Sequence, residues 1–290
     1  MLLYHYTTMD TFYSMIEHSL YPKGDDVVPT HLIMWAGHYS YQNDPTECEL
    51  YFKGLKKAIQ DYSNKASINL IDEYNKYIGE TNNGLRIYFI SFSEQEDDLT
   101  MWRGYGQNGD GISLGFDFTK LPGAPLIPIC DKNNPDANWR QRDERLIYNR
   151  DTPIKCIYTE PNNIKIEDEV CTNIIKILQE EEDKEFKDII LRLRNNKEAP
   201  KYKHIKYAAE KEYRIIKTKI IPNYRMGRNG LPVPYIEVGI PLNCLKKIII
   251  GPCQASSEAA KKIKHFLWSK RIETDNIDII TSQIPYRNRI

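Results

Sequence analysis

Net charge is what this 290-residue sequence lacks first: 40 Lys and Arg stand against 40 Asp and Glu. No global field therefore draws the chain to nucleic acid or to a membrane, and any such attraction has to be local. Apolar runs are also short. None approaches the roughly 20 residues that span a bilayer, and the N-terminus shows no basic region followed by an apolar run and a cleavage site, so a soluble cytoplasmic protein is expected. The cysteines (Cys48, Cys130, Cys156, Cys171, Cys244 and Cys253) form no C-x-x-C pair and no Cys/His cluster at zinc-ligand spacing. Free thiols in a reducing compartment are expected. The histidines make no H-x-x-x-H or H-E-x-x-H pattern, so no metal site is expected. Phenylalanine is scarce (8) beside tyrosine (20). Tyrosine joins a flat face to a hydrogen-bonding tip, which suits nucleotide binding, although codon bias in a Lys/Ile/Asn-rich chain yields the same excess. Internal repeats, low-complexity linkers and long polar tails are absent, which points to one domain over residues 1–290.

Strands are predicted at Leu2–Tyr6, Arg86–Ser93, Asp110–Phe118, Tyr213–Ile221, Tyr235–Ile240, Lys247–Ile250 and Ile277–Thr281, from β-branched and aromatic density. Helical spacing marks Asp10–His18, residues 47–78, residues 163–194 and Ser256–Ser269, the last opened by Ser257. The third of these, ended by Asn195-Asn196 and Pro200, is expected to be a helical insertion over 163–196, in the form of a hairpin. Residues 24–45 read as irregular. Strands scattered among helices without regular alternation favour an α+β sheet over a doubly wound one.

Gly104-Tyr105-Gly106-Gln107-Asn108-Gly109 matches G-x-G-x-x-G. A dinucleotide-binding turn needs a helix N-terminus after it, whereas Gly111–Phe116 reads as a strand, so the run is taken as a loop at a strand entrance. Glu210 and Glu212 fall at the start of a predicted strand, on one face, with Lys211 on the other. Two carboxylates so placed repel unless a cation sits between them, and a solvated strand edge is the plainer alternative. From Lys197 to Arg228 there are ten Lys/Arg against three acids, with Tyr202, Tyr207, Tyr213 and Tyr224 interleaved. Such a segment suits an anionic ligand with a ring to stack, a dinucleotide or single-stranded nucleic acid, or equally a dispersed solvated edge. Asn43-Asp44-Pro45, followed by Glu47 and Glu49, is a turn signature and a candidate binding loop. A lone strand histidine such as His5 is more often packed than catalytic.

Several segments together resemble a bacterial family of conserved domains of unknown function associated with abortive infection and phage defence. They are Leu3-Tyr4-His5-Tyr6-Thr7, Asn43-Asp44-Pro45-Thr46-Glu47, Ile90-Ser91-Phe92-Ser93-Glu94, Met101-Trp102 with Tyr105-Gly106, Gly111–Asp117, Glu210-Lys211-Glu212-Tyr213-Arg214 and Ile248–Pro252. That family in turn resembles ADP-ribosyltransferases. The resemblance implies a split, strongly bent β-sandwich with flanking helices that holds NAD as a substrate without a metal. It implies His5, Glu210 and Glu212 as catalytic residues: Glu212 stabilises an oxocarbenium-like ribose, Glu210 orients or deprotonates the acceptor, and His5 binds a ribose hydroxyl. Ser91, Ser93, Tyr6, Thr7, Tyr105 and Arg214 join His5 around NAD, with Tyr6 or Tyr105 on the nicotinamide and Arg214 or a nearby lysine toward the pyrophosphate. The implied activity is ADP-ribose transfer by a toxin or anti-phage effector with a neutralising partner. The acceptor is expected to be nucleic acid, RNA ahead of DNA, with protein close behind. NAD hydrolysis and a non-catalytic RNA- or partner-binding module are the alternatives.

Overall fold

The computed structural model describes residues 1–19, 29–81, 85–121, 146–219, 221–227 and 230–287. Cys130 and Arg228 lie outside them. The strands are β1 (Leu3–Thr7), β2 (His31–His38), β3 (Ile87–Ser93), β4 (Ile112–Phe116), β5 (Leu146–Tyr148), β6 (Ile154–Lys155), β7 (Ile157–Thr159), β8 (Tyr202–His204), β9 (Glu212–Thr218), β10 (Asn223–Met226), β11 (Pro232–Pro241), β12 (Leu245–Ile250) and β13 (Asp278–Thr281). The helices are α1 (Met9–Glu17), α2 (Glu49–Ala66), α3 (Ile71–Thr81), α4 (Leu99–Gly104), α5 (Asp168–Glu180), α6 (Lys184–Glu198) and α7 (Ser257–Ser269).

The centre of the fold is β3, whose sequence Ile-Tyr-Phe-Ile-Ser-Phe-Ser is buried along nearly its whole length. Strand alternation sends its side chains into two separate cores. Tyr88, Ile90 and Phe92 join a core built with α1, β2, β4, β11, β12 and α7, including Phe12, Ile16, Met34, Leu114, Val238 and Leu267. Ile87 and Phe89 face a second core, where α2, α3, α5 and α6 contribute Leu50, Leu55, Tyr74, Ile174, Leu178 and Leu191. Each such aliphatic side chain removed from water contributes about 1.5–3 kcal/mol. The result is an α+β fold with a mostly antiparallel eleven-stranded sheet in the order β10-β11-β2-β3-β1-β4-β12-β13, with β5, β6 and β9 branching from it. Among the described residues, only the β11–β5 and β12–β13 pairings in this sheet are parallel.

The branching has a geometric consequence. Strand β9 pairs with β3 over its full length, Ile87↔Thr218 to Ser93↔Glu212, and so fills one edge. Strands β1 and β2 share the other: β2 takes Tyr88 and Phe89, and β1 takes Ser93. Between those two registers the edge of β3 carries no strand partner, so the sheet splits at Ile90–Phe92.

Three expectations are corrected. Residues 31–38, read as irregular, form β2, whose first four residues are all buried. The helical pattern at 47–78 is two helices, with Ser67 left-handed at the end of the first. Residues 163–194 hold two helices, as a hairpin requires, but the second, capped by Asp183, runs on through Asn195 and Asn196, where the end was expected, to Glu198. This pair supplies part of the second core. No described helix is long and apolar enough to cross a membrane.

Candidate functional site

The second core turns polar where β3 and β9 approach the split. On β3 the inward face passes from Ile87 and Phe89 to Ser91 and Ser93. On β9 the facing positions pass from Ile216 to Arg214 and Glu212, in register with those serines. Ser91 and Glu212 are among the residues that line a cleft with about 80 Å3 of enclosed space, widening to solvent at its mouth. Tyr4, Tyr6, Phe89, Phe92, Met101 and Tyr105 line it, and His5, Ser91, Asp44, Glu47, Lys203, Glu210 and Glu212 supply its polar groups.

Arg214 is 1% exposed, and each of its guanidinium nitrogens donates to a protein acceptor. Nε donates to Glu212 (2.8 Å), Nη1 to Glu47 and the Pro200 carbonyl (2.7 Å each), and Nη2 to Glu47 (2.6 Å) and Glu212 (3.0 Å). Its plane lies over Phe89, 4.1 Å from the ring centre. The residue therefore binds the floor together and offers nothing to a pyrophosphate, which corrects the role drawn from the resemblance. Glu47 reaches it from the joint before α2, where Cys48 takes a left-handed conformation (φ 67°), uncommon for a residue with a side chain.

The cation required between the paired carboxylates is Lys203, on the three-residue strand β8. Its Nζ lies 2.5 Å from Glu210 and 2.6 Å from Glu212. Glu210 also accepts from the Tyr105 hydroxyl at 2.5 Å. The two glutamates meet by a route other than strand alternation. Glu210 ends a 3-10 turn (Ile205–Glu210), Lys211 is left-handed (φ 43°), and β9 begins at Glu212. Burial alone would raise the Glu212 carboxyl, but Arg214 and Lys203 outweigh it and hold it down at about 2. The same two carboxylates overcome desolvation at Lys203 and raise its ammonium.

His5 closes the split. Its Nδ1 lies 2.9 Å from the Ser91 carbonyl oxygen on the edge of β3 that no strand covers. A carbonyl only accepts, so Nδ1 carries the proton and Nε2 is left as an acceptor. Burial lowers the imidazole below its ordinary range, with the Ser91 carbonyl opposing in part, so the ring is neutral at pH 7. Ser91 is half-buried on the cleft wall.

The other expected residues are committed elsewhere. Ser93 is fully buried, donating to the Glu210 carbonyl (2.6 Å) and accepting from the Gln95 amide (3.0 Å). It holds the Glu210 loop in place and is not available to NAD. Tyr6 donates to the Gln95 carbonyl (2.8 Å), accepts from the Asp98 amide (3.2 Å) and packs edge-on against Trp102. Its ring lines the cleft wall. Thr7 is buried beside β4 and does not line the cleft. Tyr105 stands at the wall, with burial and then Glu210 raising its phenol.

Four of the ten cations of the basic segment are engaged by carboxylates, while Lys197, Lys206, Lys211 and Arg225 are exposed. Lys203 and Arg214 are buried in the carboxylate network, Lys201 pairs with Glu198 at 2.6 Å, and Lys217 pairs with Asp151. The glycine run behaves as read: Gly104 ends α4, and the chain leads into β4 rather than into a helix. Lys203, Glu47 and Asp44 are the site residues that residue patterns alone did not isolate. Asn43–Glu47 was flagged as a loop, while Lys203 was one of ten cations. No described group of three or more His, Cys, Asp or Glu could hold a metal ion.

Residues 101–215 match a family model described as Protein of unknown function (DUF2971). The match takes in Tyr105, Lys203, Glu210, Glu212 and Arg214, and leaves His5, the Asn43–Glu47 loop and Ser91 outside it. Neither the curated proteins nor the solved structures include a match to the chain.

Proposed function

We propose that the cleft binds NAD and cleaves its nicotinamide glycosidic bond, on an ADP-ribosyltransferase-like core, passing ADP-ribose to an acceptor. The observation that carries this reading is the Lys203-bridged pair Glu210 and Glu212, set on the floor of an aromatic-walled cleft together with His5 of the first strand and Ser91 of β3. As the bond breaks, its electron pair leaves with nicotinamide nitrogen, and positive charge grows on the ribose C1′ and ring oxygen. A carboxylate held beside that position stabilises the charge without reorganising.

Between the two glutamates the acceptor count favours Glu210 for contact with substrate. A carboxylate has about four lone-pair positions. Glu212 uses three, on Arg214 twice and Lys203 once, whereas Glu210 uses two, on Tyr105 and Lys203. Glu210 takes a ribose hydroxyl and then the proton of the incoming nucleophile. Glu212 positions Lys203 and Arg214 from below. His5 Nε2 accepts a second ribose hydroxyl, and Tyr105 borders the ring.

The toxin or anti-phage role, and any neutralising partner, rest on the family resemblance. The preference for RNA rests on the basic segment, of whose ten cations four are engaged by carboxylates and at least four are exposed, so water, protein and nucleic acid all enter the test. Wild type, Glu210→Gln and Glu212→Ala are incubated with labelled NAD and separate pools of RNA, single-stranded DNA and cell protein. Label in one pool with wild type alone supports transfer and identifies the acceptor class. Free ADP-ribose without labelled macromolecule indicates hydrolysis, and no nicotinamide release from any mixture overturns the reading.

A further inference from the structure

Among the described residues that line the cleft, Asp44 carries a buried carboxylate oxygen without a hydrogen-bond partner. Asp44, 4% exposed, lines the wall next to Asn43 and Glu47. Its Oδ1 accepts from the Thr46 amide (2.8 Å) and the Thr46 hydroxyl (2.6 Å), which fixes the carboxylate's orientation. Its Oδ2 is buried and has no hydrogen-bond partner. An orphaned buried carboxylate oxygen is costly, about 1–3 kcal/mol or more, and such atoms are rare unless something outside the chain completes them. The neighbouring carboxylates are already engaged: Glu47 by Arg214, Glu212 by Arg214 and Lys203, and Glu210 by Lys203 and Tyr105.

The charge of the wall indicates what kind of donor completes it. Four carboxylates, Asp44, Glu47, Glu210 and Glu212, surround two cations, Lys203 and Arg214, which leaves a formal surplus of two negative charges in a partly dehydrated space. The apolar remainder is aromatic, with Tyr4, Phe89, Phe92 and Tyr105 among its walls. A flat ring that carries a positive charge and an N–H donor matches all three features.

We infer that Asp44 is a ligand-anchoring residue whose Oδ2 accepts the carboxamide N–H of an oxidised nicotinamide ring, and that the cleft selects the cationic ring over a neutral ring of the same shape. The inference rests on the NAD reading and specifies which end of the dinucleotide the Asn43–Glu47 loop holds. It also separates NAD from NADH, whose dihydronicotinamide ring has the same carboxamide but no charge.

The test is titration calorimetry of the full chain with N-methylnicotinamide cation, neutral nicotinamide, NAD and NADH, for wild type and Asp44→Asn. The substitution keeps the shape and, through its own oxygen, the two bonds from Thr46, while placing an NH2 where Oδ2 was. Wild type is expected to bind the cation at least tenfold more tightly than neutral nicotinamide, and NAD more tightly than NADH. Asp44→Asn is expected to lose that preference and to bind the cation roughly 10- to 100-fold more weakly, the range of a hydrogen bond to a charged group. The wild-type comparison of cation with neutral ring needs no variant, so it stands even if Asp44→Asn folds poorly. Equal affinity of wild type for the two rings, or an Asp44→Asn that binds like wild type while NAD turnover is intact, overturns the assignment of Asp44 alone. Failure of wild type to bind NAD at all overturns this inference and the NAD reading together.

Discussion

Lys203 and Glu212 stand nine positions apart in the chain and meet at 2.6 Å on the floor of the cleft, with Glu210 on the other side of the same ammonium at 2.5 Å. The side chains are nearly sealed from solvent, so the lysine is what allows two carboxylates to face each other there. Lys203→Met is expected to destabilise the fold by about 3–5 kcal/mol, the cost of uncovering buried charge. Lys203→Met combined with Glu210→Gln is expected to recover part of that loss, since one of the two facing charges is gone. Urea unfolding of the three proteins at pH 7 measures both effects. A double variant no more stable than the single one would mean that the lysine acts through packing.

The bidentate pair of Glu47 with Arg214 ties the Asn43–Glu47 loop to β9 across 167 positions of sequence. Glu47→Ala leaves part of a buried guanidinium uncompensated, and a loss of about 3–5 kcal/mol is expected. Because the two side chains share one network, Glu47→Ala together with Arg214→Ala is expected to cost less than the two single changes added. A denaturation cycle over the four proteins checks this, and simple additivity would refute the coupling.

Acid stability follows from Glu212. Its folded carboxyl, held at about 2 by Arg214 and Lys203 against the opposing effect of burial, lies below the ordinary value of 4.5. A depressed carboxylate contributes stability that is fully present above the unfolded value and is lost as pH falls through the folded one. The window is therefore from pH 4.5 down to about 2, and the displacement corresponds to about 3 kcal/mol. Glu212→Gln is expected to be less stable at pH 7 and to show a shallower decline across that window. Denaturant midpoints against pH supply the comparison, with parallel curves as the contrary result.

The glycine run gives a test independent of charge. A Cβ on Gly111 would lie 2.3 Å from the Thr7 carbonyl oxygen and 2.8 Å from that of Gly106, both backbone atoms that cannot swing aside. Gly111→Ala is expected to cost about 1–3 kcal/mol or more. Gly104, at the end of α4, has open space within 4 Å, and Gly104→Ala is expected to be neutral or stabilising by up to about 1 kcal/mol. Thermal melting of the pair distinguishes a packing role for these glycines from a uniform need for loop flexibility.

That contrast also shows how far residue patterns reach in this chain. Strand β3 was legible because apolar residues buried on both faces leave a dense β-branched and aromatic run, and β4 by the same density, which in turn ruled out a phosphate-binding turn at G-x-G-x-x-G. Strand β2 was missed although His31–His38 carries such a run, because the glycine and proline content on either side dominated the reading of 24–45. Helix α4 has six residues and shows only as Asp98 capping Thr100 and Met101. Within the site, His5, Ser91, Tyr105, Glu210 and Glu212 were reached through motifs. Lys203 was not: three-residue β8 has no periodicity, and its partners lie on segments that only the tertiary fold brings to it. Arg214 and Ser93 lie beside site residues in sequence, yet their hydrogen bonds turn inward, and neighbours in sequence cannot reveal which groups are already spent.

The catalytic assignment divides along the same line. Glu210 keeps about two free acceptor positions at the cleft and Glu212 about one. If Glu210 contacts the ribose, Glu210→Gln should lower kcat for nicotinamide release by roughly 100-fold or more with little change in melting temperature, since the amide oxygen can still accept from Lys203 while its NH2 donates to the Tyr105 hydroxyl. Glu212→Gln should lower activity together with stability, because Arg214 and Lys203 each lose one of their two carboxylate partners. Tyr105→Phe removes one hydrogen bond to Glu210 and should cost roughly tenfold in kcat with the fold intact. Nicotinamide release by each variant, measured beside its melting curve, separates the cases. Were Glu212→Gln to fold as wild type and lose all turnover while Glu210→Gln stayed active, the carboxylate at the ribose would be Glu212, and the three hydrogen bonds it already accepts would have to rearrange when substrate enters.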